Sequence, residues 1–316
     1  VGSTEQERIA RLAAILGQGS VARGFRVGIG DDAAVVEAQD HLLVWTIDEQ
    51  VEDVHFRRAL CSFEDIGFRA TMTAASDLAA MGARPLGALA AMVLPPDVST
   101  EDLEAMARGQ RQACDALGAS VVGGNLSRGA RLSVATTWLG VAPQPVLRSG
   151  AREGDGLYLC GDIGLASAGF RALDRGLGSL DADDALRAAA EAWRRPRARV
   201  DGGLRMASVA SAAIDVSDGL AGDAQSLARA SSVRVVLDEQ ALRACLDAAT
   251  VAVARLLAAD PLDLALFGGE DYALLCTSAT PIDGFTRIGG VERGEGVVLR
   301  GEHGERAVDG GFDHFA

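Results

Sequence analysis

Five stretches of this 316-residue chain set acids among small residues: Gly28-Ile29-Gly30-Asp31-Asp32-Ala33-Ala34, Thr46-Ile47-Asp48, Ala75-Ser76-Asp77, Asp215-Val216-Ser217-Asp218-Gly219 and Gly268-Gly269-Glu270-Asp271-Tyr272. One such stretch is an ordinary turn or helix cap. Adjacent carboxylates repel, so a chain keeps them for turn hydrogen bonds or for a cation. The recurrence points to a polynuclear cation site with Asp32, Asp48, Asp77, Asp215 and Asp218 as ligands, all expected at the ends of elements. Carboxylates with room around them suit Mg²⁺, which takes one or two carboxylates per ion, keeps several waters and completes its shell with substrate phosphates. Several acids therefore imply several ions.

The common nucleotide-binding loops are absent. No GxxxxGK[ST] occurs, no GxGxxG follows a strand, and no HRD or DFG set is present. Gly161-Asp162-Ile163-Gly164 is a weak candidate for a turn whose helix N-terminus faces phosphate. His55, seven residues beyond Asp48, is the histidine of interest, the other three lying in polar surroundings, although a lone His is more often structural. Arg148 in Leu147-Arg148-Ser149-Gly150 has the chemistry to grip a phosphate with two parallel bonds. No Ser–His–Asp or Cys–His arrangement can be argued.

The elements that must position these groups alternate between strand and helix, giving an α/β or α+β class. Leu42 to Ile47 reads as a strand ending at Asp48. Ser62 with Asp65 and Ser99 with Asp102 have capping-box spacing, starting helices near 63–80 and near 100–117, the second ended by Gly118. Ala74, Ala75, Ala79, Ala80 and Gly82 narrow the first of these, so another backbone can approach it closely. Leu86 to Leu94 reads as a buried strand, and 132–138 as a strand with one preferred face. A first helix carries Ile9, Leu12 and Leu16 after Ser3 and Thr4 as caps. Pro143 and Pro145 mark a boundary between a domain at 1–143 and a second at 144–316. The second half offers strands at 157–160, 212–214, 233–237 and 272–276 and helices near 165–176, 183–193, 199–210, 219–230 and 240–258.

Thirty basic and 44 acidic residues give a net charge of −14, which argues against non-specific nucleic-acid binding and anionic membranes. Bound cations can invert that charge locally, so a nucleotide remains compatible. No apolar run approaches a spanning helix, and Val1-Gly2-Ser3 shows no basic-then-apolar pattern. Five scattered cysteines without zinc spacing fit reduced thiols, and a cytoplasmic location is expected.

Together these stretches resemble the thiamine-monophosphate kinase family of the aminoimidazole-ribonucleotide-synthetase-like superfamily. The match runs through Gly28 to Ala33, Asp48 with Val51 and His55-Phe56, and Ser76-Asp77-Leu78-Ala79-Ala80-Met81-Gly82-Ala83 with Pro85. It continues through Gly123-Gly124, Arg148-Ser149-Gly150, Asp215 to Leu220, Gly268 to Tyr272 and Gly311-Phe312-Asp313-His314-Phe315, in the family's order. The resemblance implies a two-domain fold whose N-terminal domain pairs into a homodimer. It implies direct transfer of the γ-phosphoryl of ATP to thiamine monophosphate, assisted by several Mg²⁺ ions. Asp32, Asp48, Asp77, Asp215 and Asp218 would hold metal, with Asp48, Asp77, Asp215 and Asp218 central to catalysis. Thr46, Ile47 and Asn125 would also lie beside metal. Gly124, Asn125, Arg148 and Ser217 would contact ATP, and His55, Glu270 and Phe312 would contact thiamine monophosphate.

The chain departs from the family at Asn125, where an acid is usual, at Ile47, where a hydroxyl is usual, and at Phe312, where Trp or Tyr is usual. The departures at Asn125 and Ile47 leave room for a non-catalytic nucleotide or thiamine-phosphate sensor. Another ATP-dependent synthetase of the superfamily is the second alternative. The purine enzyme's Asp-Gly-Val-Gly-Thr-Lys stretch is missing, and the first Cys is Cys61, far from the N-terminal reactive residue of selenophosphate synthetase.

Overall fold

A computed structural model of the protein describes residues 5–16, 25–177 and 183–312. Ser3, Thr4, Asp313, His314 and Phe315 lie outside the described residues. The first half comprises α1 (Glu5–Leu16), β1 (Phe25–Val27), β2 (Ala34–Ala38), β3 (His41–Val51), α2 (Phe63–Ala80), β4 (Arg84–Leu94), α3 (Thr100–Leu117), β5 (Val121–Arg128) and β6 (Ser133–Ala142). Its six strands form one sheet in the order β1-β2-β3-β6-β4-β5, antiparallel except for the β4–β5 pair.

The second half begins with β7 (Gly156–Cys160), α4 (Leu165–Asp174), α5 (Asp184–Arg194), α6 (Val200–Met206), β8 (Ala212–Val216) and α7 (Leu220–Ser231). It continues with β9 (Arg234–Asp238), α8 (Glu239–Cys245), α9 (Ala248–Leu257), α10 (Pro261–Phe267), β10 (Ala273–Ser278), β11 (Thr286–Glu292), β12 (Gly296–Gly301) and β13 (Gly304–Ala307). A second sheet, in the order β13-β12-β9-β11-β7-β10-β8, carries all seven of its strands.

Both expected capping boxes form. Ser62 accepts from the Asp65 N–H while Asp65 returns to the Ser62 N–H, and Ser99 and Asp102 do the same. Gly118 ends α3 in the left-handed region at φ 65°, where a glycine carries no steric cost. The expected helix over 240–258 is two helices, because Asp247 turns its side chain to the Ala249 N–H and starts α9 afresh.

α2 is the element on which the site is built. It packs on β3, β4 and β6 of the first sheet, on α3 and α6, and against β8 and β10 of the second sheet. Ala74, Ala75, Leu78, Ala79 and Ala80 are fully buried. The narrow face does admit another backbone. A Cβ at Gly203 of α6 would overlap the Ala79 carbonyl, so the two helices touch main chain to main chain. Two cores flank this helix: one between α2, α6 and the second sheet around Ala79, Ala80, Met206, Ala213 and Leu274, another between α2 and the first sheet around Val44, Leu78, Met81 and Trp138.

Asp48 sits inside its element rather than at its end, while Asp77 is at the end of its own as expected. β3 runs through Asp48 to Val51 because its pairing with β6 continues to Val51 opposite Ser133. Asp77 lies in the last turn of α2. From Val134 on the β6 alternation is as expected, with Val134, Thr136 and Trp138 buried and Ala135 and Thr137 half-buried; Ser133 departs from it and is buried like Leu132.

Candidate active site

Asp32 from the loop before β2, Asp77 from α2 and Asp215 from β8 converge, each offering a carboxylate oxygen within 4.8 Å of the others. Burial raises all three; neighbouring acids add to it at Asp77 and Asp215, while Arg148 opposes it at Asp32. Asp77 is held well above the usual carboxylate range by burial, then by Asp215 and Asp32. Asp215 is pushed up to about 7, first by burial and then by Asp32, against the lowering influence of Ser76 and Arg148. Such a group of hard oxygen donors, unstable as bare anions, suits a divalent cation. Asp32 has one oxygen on Arg148, while its buried Oδ2 has no hydrogen-bond partner. That orphaned acceptor faces the same requirement, so the residues present fit a bound Mg²⁺.

Neighbouring groups fix the trio. Thr46 donates its hydroxyl to Asp77 Oδ2, and its carbonyl accepts the Thr137 hydroxyl. Asp48 accepts from the Glu49 N–H at 2.7 Å and adds to the charge around Asp77. The Arg148 guanidinium reaches Asp32 Oδ1 at 2.6 Å. Its backbone N–H lies 3.2 Å from both Asp31 oxygens, and its carbonyl accepts from Ser231. Burial works against the Arg148 charge, but Asp32, Asp215 and Asp31 hold its pKa above the ordinary value. Asp31 is thus the anchor of the arginine loop.

The Ser217–Asp218 loop is gripped from two sides. Both backbone N–H groups donate to the buried carboxylate of Asp223, at 3.0 and 3.1 Å. The Ser217 carbonyl accepts from Glu270, Val216 from Tyr272 and the Asp218 carbonyl from Phe312. Gly269 sits at φ 70°, and a Cβ there would run into the Ser217 carbonyl, which is why this approach needs glycine. Glu270 and Tyr272 also adopt positive φ, at 68° and 50°.

These groups open into one cleft of about 360 Å³, lined by Asp48, Asp77, Asp215, Ser217 and Asp218 and also by His55, Phe170, Trp193, Glu270 and Phe312. His55 Nδ1 accepts from the Val51 N–H at 3.0 Å, so a neutral His55 carries its proton on Nε2. Glu270 pairs with the fully buried Arg69, and Phe312 is 53% exposed. Phe170 and Trp193 stack with ring centroids 5.1 Å apart.

Not every expected residue is here. Asn125 stands in register with Ala91, Ala135 and Glu49 across β5, β4, β6 and β3. Three strand spacings separate it from β3, about 14 Å, and it shares the face of Glu49 and Ile47, away from Asp48. Gly124 is its neighbour on the same edge strand. Ile47 borders the cleft but is 69% exposed, on the sheet face opposite Asp48. The Gly161–Gly164 turn does not offer a free helix start either, because the Gly164 and Ala166 N–H groups donate to Asp271 at 2.7 and 3.2 Å.

Arg69, Asp223 and Asp271 were not marked by the sequence as site residues. Arg69 and Asp271 have partners far along the chain, whereas Asp223 takes the N–H groups six and five residues before it and reads in sequence as an ordinary first-turn acid.

Residues 30–142 match the family model described as AIR synthase related protein, N-terminal domain. The thiamine-monophosphate kinase of Aquifex aeolicus is 34% identical over 291 residues, 91% of this chain and 92% of that protein. The enzyme of that name from Mycobacterium tuberculosis is 36% identical over 280 residues, 86% of this chain and 81% of its own. A solved structure described as AaThiL complexed with AMPPCP and TMP superposes with a TM-score of 0.89 at 32% identity, covering 99% of this chain and 97% of that one. A chain so similar over nearly its whole length, with its recurrent acids gathered in one cleft, belongs to the thiamine-monophosphate kinase family.

Proposed function

We propose that this protein transfers the γ-phosphoryl group of ATP to the phosphate of thiamine monophosphate, giving thiamine diphosphate and ADP. The observation that carries this reading is the convergence of Asp32, Asp77 and Asp215, the last two lining the cleft that also holds His55, Glu270 and Phe312. A relative solved with AMPPCP and TMP supports the same pair of substrates. Asp32, Asp77 and Asp215, with Asp48 and Asp218 beside them, would hold Mg²⁺ ions, and Thr46 secures Asp77 among them. Bound there, Mg²⁺ would neutralise the charge of two phosphate groups brought together.

The bond from the γ-phosphorus to the β–γ bridging oxygen breaks as an oxygen of the acceptor phosphate bonds to that phosphorus. The acceptor is already an anion, so no base is needed, and the protein's share is positioning and electrostatics. Arg148 and Ser217 contact the nucleotide. His55 donates from Nε2 to the acceptor phosphate, Glu270 accepts from the amino group of the pyrimidine ring, and Phe312 covers a ring face.

A homodimer belongs to the proposal. Trp45, Ile47 and Leu89 stand 50%, 69% and 48% exposed on one face of the first sheet, and Asn125 lies on that face. Pairing of this face would place the Gly124–Asn125 corner against the partner subunit's nucleotide rather than its own. The division at residues 143 and 144 follows the separation of the two sheets. Five unpaired cysteines support a cytoplasmic location. The test is incubation with ATP, Mg²⁺ and thiamine monophosphate, with both products identified. Formation of thiamine diphosphate and ADP in equal amounts is expected. ATP hydrolysis alone, or no turnover, overturns the reading.

A further inference from the structure

Arg69 is entirely buried, on the face of α2 two turns before Asp77. Its guanidinium meets four groups from three other segments. Nε donates to Gln50 Oε1 of β3 at 2.9 Å, Nη1 to the Trp193 carbonyl at the end of α5, and Nη2 pairs with Glu270 Oε2. The Trp193 ring lies 5.3 Å from the guanidinium carbon. A buried ion pair is a poor means of adding stability, because desolvation offsets most of the attraction. What a planar fork does well is fix the geometry of its acceptors.

The acceptor that reaches the cleft is Glu270. Its backbone is in the left-handed region at φ 68°, which a side chain with a Cβ adopts only under restraint. Its main chain is tied to Ser217, its side chain is 26% exposed, and Oε1 accepts a long hydrogen bond from the Tyr272 hydroxyl at 3.4 Å, which leaves its second lone pair to a ligand. We propose that Arg69 is a positioning residue for recognition of the thiamine moiety, holding Glu270 from behind so that Oε1 is presented to the ligand. The role rests on thiamine monophosphate being the acceptor. The pair also cancels the Glu270 charge, so the carboxylate recognises a neutral hydrogen-bond donor of the ligand rather than serving as counter-ion to its cationic ring.

Steady-state kinetics and calorimetric binding of thiamine monophosphate on wild type, Arg69→Met, Arg69→Lys, Glu270→Gln and the Met/Gln double variant test this. Arg69→Met should raise KM and Kd for thiamine monophosphate by about tenfold or more. It should move kcat by no more than about twofold and leave KM for ATP unchanged. Arg69→Lys should recover part of the loss, since it keeps the charge but not the fork. In the Glu270→Gln background the Met substitution should add little, because the group it positions is already altered. An equal loss in both backgrounds, or an equal rise in KM for ATP, would show that Arg69 only packs, and would overturn the proposal. If Arg69→Met does not fold, Arg69→Lys with and without Glu270→Gln forms the same cycle. A wild-type protein that does not turn over thiamine monophosphate overturns the proposed function itself. Additive effects in an active wild type overturn only the role of Arg69.

Discussion

Replacing Asp77 by Asn should stabilise the metal-free protein while greatly weakening its response to Mg²⁺. Asp77 shares space with Asp32 and Asp215, whose oxygens lie within 4.8 Å. At that separation and an effective dielectric constant near 20, each pair of full charges repels by about 3.5 kcal/mol. The protein avoids the full cost by binding protons, as the raised pKa values of Asp77 and Asp215 record. Proton uptake carries its own cost, about 1.4 kcal/mol for each unit between the ordinary carboxylate pKa and the ambient pH. The sign follows from linkage. A carboxyl whose folded pKa is raised binds more protons folded than unfolded, so stability falls as pH climbs from about 4 through the folded value, which for Asp215 is about 7. Asn carries no such burden and keeps an oxygen to accept from Thr46. In EDTA at about pH 8, the variant should therefore be more stable by about 2–4 kcal/mol, and near pH 4 the gain should almost vanish. Urea denaturation at the two pH values, with EDTA or with Mg²⁺, measures all of this. Mg²⁺ should stabilise the wild type far more than the variant. A variant less stable than wild type in EDTA at the higher pH, or one stabilised equally by Mg²⁺, would refute the acidic centre as a metal site.

Glu270→Gln and His55→Phe should each raise KM for thiamine monophosphate and leave KM for ATP nearly unchanged; the reverse pattern would reassign both residues to the nucleotide. Leu89→Asp puts a charge on the exposed face of the first sheet and should yield a monomer by light scattering, and an unaltered dimer would place the interface elsewhere. Asn125→Asp should lower the Mg²⁺ concentration for half-maximal turnover only in the dimer, because the residue is distant from its own chain's acids. A monomeric Leu89→Asp background in which Asn125→Asp still shifts the Mg²⁺ dependence would show that the residue acts within one chain.

Much of the fold was legible because its signals are local. A Ser followed three residues later by Asp twice starts a helix where expected, since the box satisfies end N–H groups within a single turn. The alternation in β6 was visible because one face of the sheet packs on α2. β3 reached further than its apolar run suggested, since strand length is set by the partner: β6 pairs with it as far as Val51. The helix break at Asp247 was missed because an alanine-rich run hides a cap whose competing hydrogen bond is short and local.

The candidate site divides along the same line. Recurrence of an acid beside small residues marks Asp32, Asp77 and Asp215, because small neighbours are what let three backbones converge. The second layer obeys a different rule. Asp223 holds the Ser217–Asp218 loop, Asp271 caps α4 across 107 and 105 residues of sequence, and Arg69 reaches Glu270 across the two halves of the chain. In sequence, Asp223 is one more acid in a helical first turn, and Arg69 is one arginine before an alanine-rich stretch. Their roles exist only where the tertiary fold removes water and leaves a charge with a single set of partners. Asp271 makes the point most directly. Its carboxyl is pushed up to about 7 by burial, against two backbone N–H bonds that favour the anion. A group poised between those forces is shaped by everything around it. The glycines that flank it signal a tight turn, and only the folded chain turns the Gly161–Gly164 loop from a candidate phosphate cradle into the base on which the Gly268–Tyr272 segment rests.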